Sequence, residues 1–437
     1  MKINTDKDKI LIFGGFSHEN RGDHAMLAGM IQELKRNNSG TKVVVHSINP
    51  EKIRRVISEK VVWSPEIYFL TARALKKFSS LKMLTLKKIR VLIKGLWFIL
   101  NFLIYKRLNR CFLRNSACIG FFSQLLGTKA LVFSGGGYLN SVWALTELYV
   151  KAIIIFTAKL ADVPIVMSSQ SIGPLTGRFD RIIAKLAFNS VKLIGIRDIE
   201  KSRNCLQAIG VNKPQIIFTG DDSLLLHSSN ESGTREIFFK EKIPADKTLI
   251  GVNIRNSANY GNGLFKEIPA EQIAGLLDQI AAHRGRHLVF LPISYNAEDD
   301  DRISAEKIQS LMTLKNRTTV VSNYYSPAEL KGLISSLHAA IGVSYHFLLF
   351  ALSSNVPAVS LYFDDYYKFK NSGLFDLYDM SDKCFAMDSP GAVDKIISAF
   401  EKMLNERDKV SSRLSDVNGR IKDEANKSHN FLMQFVA

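Results

Sequence analysis

Residues 10–34 read ILIFGGFSHENRGDHAMLAGMIQEL, and two different periods meet in them. Ile10 to Phe13 is a short, continuous apolar run, as expected of a strand buried on both faces. Gly14 and Gly15 end that run. After Asn20, Gly22 and Asp23, the apolar residues Ala25, Met26, Met30, Ile31 and Leu34 recur at helical spacing. A strand, a glycine turn and a helix open a βα unit whose turn offers backbone N–H groups to an anion or a sugar oxygen. Asp23 either caps that helix or binds a substrate hydroxyl.

The same alternation continues in both directions from this unit. Lys42 to His46, Leu131 to Phe133, Pro164 to Ser168 and Lys192 to Ile196 read as further buried strands of the first half. Leu249 to Arg255, His287 to Pro292, Thr318 to Val321, Ala339 to Val343 and Ala358 to Tyr362 repeat the arrangement in the second half. Ser326, with Pro327 next and Glu329 at the third helical position, predicts a capped helix start. The polar segment His227 to Lys247 separates the halves. The pattern predicts an α/β chain of two parallel Rossmann-like domains, 1–226 and 248–437, that face a cleft where strand ends would meet a ligand.

Composition agrees with two cores. The chain has 437 residues, 46% of them hydrophobic, which excludes a disordered polymer. Cys111, Cys118, Cys205 and Cys384 lie far apart without a C-x-x-C pair, so they read as reduced thiols rather than a zinc site or a disulfide framework. The N-terminal apolar run is too short for a secretory signal, and the expected compartment is the cytoplasm. Lys and Arg total 58 against 41 acids, a net charge of +17. Thirteen of those cations fall between Ile67 and Thr146, a stretch with no Asp or Glu.

That basic stretch holds VLIKGLWFILNFLIY, Val91 to Tyr105, which is shorter than the ~20 apolar residues that span a bilayer and is interrupted by Lys94. On a helix, Lys87, Arg90, Lys94 and Asn101 fall on one face, leaving Trp97, Phe98, Phe102 and Leu103 for the others. The spacing predicts a helix lying in the plane of an anionic membrane surface; a buried helix with a solvated basic edge is the alternative. Nucleic acid is not expected, because no DNA or RNA module accompanies the charge.

Two more clusters follow strands in the first half. SGGGYLN, Ser134 to Asn140, carries Gly135, Gly136 and Gly137, which permit close approach of a ligand to the backbone. SSQSIGP, Ser168 to Pro174, places Gln170 and Ser171 at a strand end where they could bind hydroxyls. These segments occur in order with Arg197, Asp198 and Ser202, then GDDSLLL from Gly220 to Leu226 and GVNIR from Gly251 to Arg255. SYHFLLFAL from Ser344 to Leu352, NVPAVSLYF from Asn355 to Phe363 and YYKFK around Lys370 follow. In that order they resemble the polysaccharide pyruvyl transferase family from roughly Ile10 to Asp379, with 67–129 as a poorly matched insertion.

The resemblance implies a fold similar to the GT-B glycosyltransferases and transfer of pyruvate from phosphoenolpyruvate onto a sugar as a ketal, with no metal or other cofactor. It implies His346 as acid or phosphate-binding group, with Arg255, Ser344, Lys368 and Lys370 toward the donor. Asn20 and Asp23, with Gly135, Gly136, Gly137 and Gln170, would face a saccharide acceptor; the basic apolar segment adds the expectation of a polyprenyl-linked acceptor at the inner face of the cell membrane. The resemblance breaks at Ser344, where the family has the arginine of an Arg-x-His motif, a planar fork suited to phosphoenolpyruvate. That departure leaves two other readings open: a GT-B-like glycosyltransferase using a nucleotide sugar, or a degenerate member that only binds polysaccharide.

Overall fold

The computed structural model describes residues 9–70, 81–256 and 266–434. Arg73, Lys76 and Lys77 of the basic insertion lie outside the described residues. The chain forms two compact units. The first takes the residues up to His18, Met26–Leu225 and the chain from Asp423 on; the second takes Glu19–Ala25 and Leu226–Lys422.

The first unit is built on one parallel sheet. Its strands are β1 (Lys9–Phe13), β2 (Lys42–Ser47), β3 (Lys60–Trp63), β4 (Thr128–Phe133), β5 (Gly136–Leu139), β6 (Ile165–Ile172), β7 (Leu193–Ile196) and β8 (Gln215–Phe218). They pair in the order β3-β2-β1-β4-β6-β7-β8, with β5 alongside β6. β1 is buried along its whole length, as its unbroken apolar run requires. The order doubles back between β1 and β4, and at that switch point the strand ends run into Gly14 and Ser134.

The second unit repeats the pattern with β9 (Thr248–Asn253), β10 (Arg286–Phe290), β11 (Thr318–Val320), β12 (Ala339–Gly342), β13 (Ala358–Tyr362) and β14 (Cys384–Ala386). Its order β11-β10-β9-β12-β13-β14 is the Rossmann order, with the switch point between β9 and β12. Ser326 caps the Pro327–Ser335 helix through a full capping box with Glu329. The polar segment read as a separator contains a helix, Glu231–Glu241, and belongs with the second unit.

The basic insertion forms a 28-residue helix, Leu81–Leu108. Val91, Phe98 and Phe102 are buried among Phe13, Phe121, Phe122 and Phe133. Gly95 lets the helix lie close to the Tyr149–Leu160 helix, since a Cβ there would stand 2.6 Å from the Ile153 side chain. The expected polar face is corrected by this packing. Asn101 is fully buried; its Oδ1 accepts from Phe112 N at 2.8 Å and Leu113 N at 3.0 Å, fixing the chain as it leaves the helix. Lys94 is half-buried and donates to the Tyr68 carbonyl at 3.0 Å. No helix among the described residues is long and apolar enough to cross a membrane.

Candidate functional site

In a doubly wound sheet a ligand sits beyond the strand ends at the switch point. At the second unit's switch point, Asn253 ends β9 with its side chain fully buried. Its amide donates to Leu291 O at 2.8 Å and to the Asp301 carboxylate at 3.0 Å, while its oxygen accepts from Ser344 N at 3.1 Å. One side chain thus fixes the exits of β9, β10 and β12 together.

Ser344 is the N-cap residue of the Tyr345–Ser353 helix. These residues do not continue the strand: β12 ends at Gly342, and His346 already lies in the first helical turn. The Tyr345 and His346 rings meet edge to face, with centroids 5.2 Å apart. His346 is 6% exposed.

The turn that decided the fold comes to the same place. Glu19–Ala25 groups with the second unit because its backbone adds to the loop after β10. Arg21 N donates to Ile293 O at 2.8 Å, Tyr295 N to Glu19 O at 2.8 Å, and Asn20 bridges Ser294. The Arg21 guanidinium locks the turn by donating to the Tyr325 carbonyl at 2.7 Å and stacking 4.8 Å over the Tyr295 ring. Asn20 Oδ1 accepts from Gly22 N at 2.9 Å and so caps the Arg21–Asn37 helix. Capping therefore falls to Asn20 rather than to Asp23, whose carboxylate sits half-exposed in the first turn with no partner among the described residues. A methyl group built on Gly22 would overlap the His346 ring. Gly22 thus allows two helix N-termini and one imidazole to share a small space.

The remaining donor-side candidates divide. Arg255 is nearly buried and bonds Asp299, its Nε at 2.9 Å from Oδ2 with Nη2 on the same oxygen, and stands 3.9 Å from Asp301. Asp299 also accepts from Ser294 Oγ at 2.9 Å. Burial pushes the Asp301 carboxyl up to about 6, although Arg255 and the amides of Ser294 and Ile293 pull it down. Arg255 is consequently a brace between carboxylates. Lys370 Nζ donates to Tyr366 OH at 3.0 Å and lies 5.9 Å over the Tyr345 ring, beside the Ser344 turn. Its neighbour Asn371 donates to Val343 O at 2.9 Å. Lys368 is exposed on the same helix and is not brought in by any such contact.

In the first unit, Gly135 presses on Ser169, where a Cβ would stand 2.7 Å from the carbonyl oxygen. Gly136 and Gly137 belong to β5 rather than to a loop. Gln170 is fully buried and its amide nitrogen reaches three main-chain carbonyls, Ser168 at 2.8 Å, Ser134 at 3.0 Å and Phe133 at 3.3 Å. It holds the glycine segment in place. Asp221 Oδ1 accepts from Ser223 N at 3.0 Å and Oδ2 pairs Arg197 at 3.0 Å, so it caps a turn.

One cluster escaped the sequence reading. Lys151, 2% exposed, pairs with Glu66 and, at 3.1 Å, with Glu147, and lies 5.5 Å over the Tyr138 ring. Burial raises Glu147 above the usual carboxylate range despite Lys151, while the two acids overcome burial and hold Lys151 charged. Glu66 and Glu147 are the two acids that bound the acid-free stretch. That coincidence was the available signal.

Two parallel sheets of Rossmann order, each ending in a turn-rich switch point, define a GT-B-like protein. Solved structures agree on the fold. UDP-GlcNAc 2-epimerase from Neisseria meningitidis matches with a TM-score of 0.54 at 13% identity, covering 98% of this chain and 99% of that one. Arabidopsis thaliana UGT89C1 matches with a TM-score of 0.57 at 9% identity, covering 99% and 100%. Anabaena Alr3699/HepE matches with 0.56 at 12%, covering 98% of each. The family model for polysaccharide pyruvyl transferase matches residues 20–365, and the chain belongs to that family. The amylovoran biosynthesis protein AmsJ of Erwinia amylovora is 22% identical over 363 residues, covering 82% of this chain and 83% of its own length.

Proposed function

We propose that the protein transfers pyruvate from phosphoenolpyruvate to a sugar of a cell-surface polysaccharide, or of its lipid-linked precursor, at the inner face of the cell membrane. The observation that carries this reading is the seating of His346 against Gly22, between the first turns of the Arg21–Asn37 and Tyr345–Ser353 helices. Helix N-termini favour an anion, and an imidazole exchanges protons at neutral pH. With no arginine at position 344, Lys370 and the two helix ends supply the positive field for phosphate and carboxylate. The relation to an amylovoran biosynthesis protein supports a place in exopolysaccharide biosynthesis.

The chemistry follows from those groups. His346 gives a proton to C3 of the enol, a sugar hydroxyl adds to the cationic C2, and Asp23 takes that hydroxyl's proton. Phosphate then leaves with the proton held by Asp23, and a second hydroxyl of the same sugar closes the ketal, returning its proton to His346. Calorimetry with phosphoenolpyruvate and phosphate release with a soluble saccharide acceptor test the reading. His346→Gln should lower turnover by about 10²-fold or more while the heat of donor binding persists. No heat at saturating phosphoenolpyruvate, with heat from a nucleotide sugar, would replace this reading by sugar transfer.

A further inference from the structure

Between Val91 and Leu103 the Leu81–Leu108 helix is apolar except at Lys94 and Asn101, yet only part of its circumference is covered. Opposite the buried Val91, Phe98 and Phe102, the side chains of Leu86, Ile89, Ile93, Leu96, Leu100 and Leu103 stand at steps of three and four, all exposed and reaching 61% at Ile93 and 70% at Leu96. A contiguous apolar stripe left uncovered on a helix marks a surface for a partner or for lipid. The Arg178–Phe188 helix adds a second stripe, Phe179, Ile182 and Leu186, each more than half exposed. The two helices are tied by Lys88 Nζ to Asp180 Oδ1 at 2.6 Å.

We propose that these two stripes form one face that lies in the plane of an anionic bilayer, with the Leu81–Leu108 helix immersed lengthwise at the headgroup boundary. This deepens the membrane placement proposed above and does not depend on the donor chemistry. The spacing of the stripe would equally suit a coiled-coil seam with a second copy, and charge decides between the two. A seam needs acids to answer its flanking cations. Among the described residues, Arg90 and Arg107 on this helix and Arg110 and Arg114 just past its end are all exposed and without acidic partners. The nearby acids are already answered, Asp180 by Lys88 and Asp162 by Lys106 at 3.2 Å. Two such faces would repel, whereas an anionic headgroup layer complements these cations and takes up the stripe. Eighteen residues from Leu86 to Leu103 span about 26 Å, long enough to lie along a surface.

Sedimentation of the full chain with phosphatidylcholine vesicles, with and without phosphatidylglycerol, tests this face. The wild type should bind the anionic vesicles at low salt, and part of the binding should survive high salt. Ile93→Ser, Leu96→Ser and Leu100→Ser together should weaken binding about tenfold or more at both salts. Arg107→Ser, Arg110→Ser and Arg114→Ser together should remove the salt-sensitive part alone. Lys94→Met, whose ammonium is turned onto Tyr68, should bind as the wild type does. Equal binding by the triple serine variant of the stripe, or no binding of the wild type to anionic vesicles, overturns the proposal. A dimer that this variant dissolves, without vesicle binding, assigns the face to a second copy. Because the assay contains neither donor nor sugar, its failure is separate from failure of the pyruvyl reading, which phosphate release with a soluble acceptor reports.

Discussion

Gly22 decides what His346 can do. Any side chain there must displace the ring or open the turn, and the turn is fixed by Arg21 on Tyr325 and by its backbone bonds to Ile293 and Tyr295. The ring is the part that gives way. Gly22→Ala should therefore lower turnover by about 10²-fold, because a misplaced acid loses its geometry, while the strain costs about 1–3 kcal/mol of stability. Turnover close to wild type in a folded variant would remove His346 from the reaction. Ser344 has the opposite character: it is buried, contributes a backbone N–H to Asn253 and starts the Tyr345–Ser353 helix as its N-cap residue.

At the scale of elements, the strand ends that hold the site store a pH dependence. Asp301 accepts from Ile293 N, Ser294 N and Asn253 on one oxygen, while Arg255 is turned mainly to Asp299. Its folded-state pKa of about 6 lies above the unfolded value near ~4. Between those values the folded chain keeps a proton that the unfolded chain has lost. Stability from this group is hence full below about pH 4, falls as pH rises to about 6, and stays low above that. Asp301→Asn should remove a slope worth on the order of 2–3 kcal/mol, so that its thermal midpoint gains on the wild type from pH 4 to pH 6.5. A pH-independent difference would mean that Asp301 stays ionised throughout.

The same elements show where sequence reading stops. Apolar runs such as Ile10 to Phe13 and Ala358 to Tyr362 announced central strands because both faces are buried. β3, β8 and β14 were not legible: KVVW, QIIF and CFA are short and partly exposed at or near the sheet edges, so few residues carry a pattern. β5 was hidden by its glycines, which read as a ligand loop. His346, Asn20 and Asp23 were legible as candidates. Their gathering around Gly22 was not, since it depends on a backbone pairing to Ser294 more than 270 residues away. The long helix misled because charge spacing marked its flank, whereas core packing had already claimed Asn101 and Lys94.

At the scale of the whole molecule, each unit is completed by a segment from elsewhere in the chain: the second by Glu19–Ala25, the first by the residues from Asp423 on. The terminal Arg407–Gln434 helix ends in the first unit, where Phe431 packs on the cluster of Ile10, Ile12, Leu27, Met30 and Val45. These residues line one face of β1 and its following helix, so the last turns of the chain seal the βα unit with which the fold begins. Removing that ring uncovers apolar surface of this cluster. Phe431→Ala should cost about 1–2 kcal/mol, a drop of a few degrees in thermal midpoint for a unit of this size, and should leave the heat of phosphoenolpyruvate binding unchanged. The groups proposed for the donor lie in the second unit, so a loss of donor binding in this variant would show that the terminal helix supports that site as well as the first core. An unchanged midpoint would show that the cluster is closed without it.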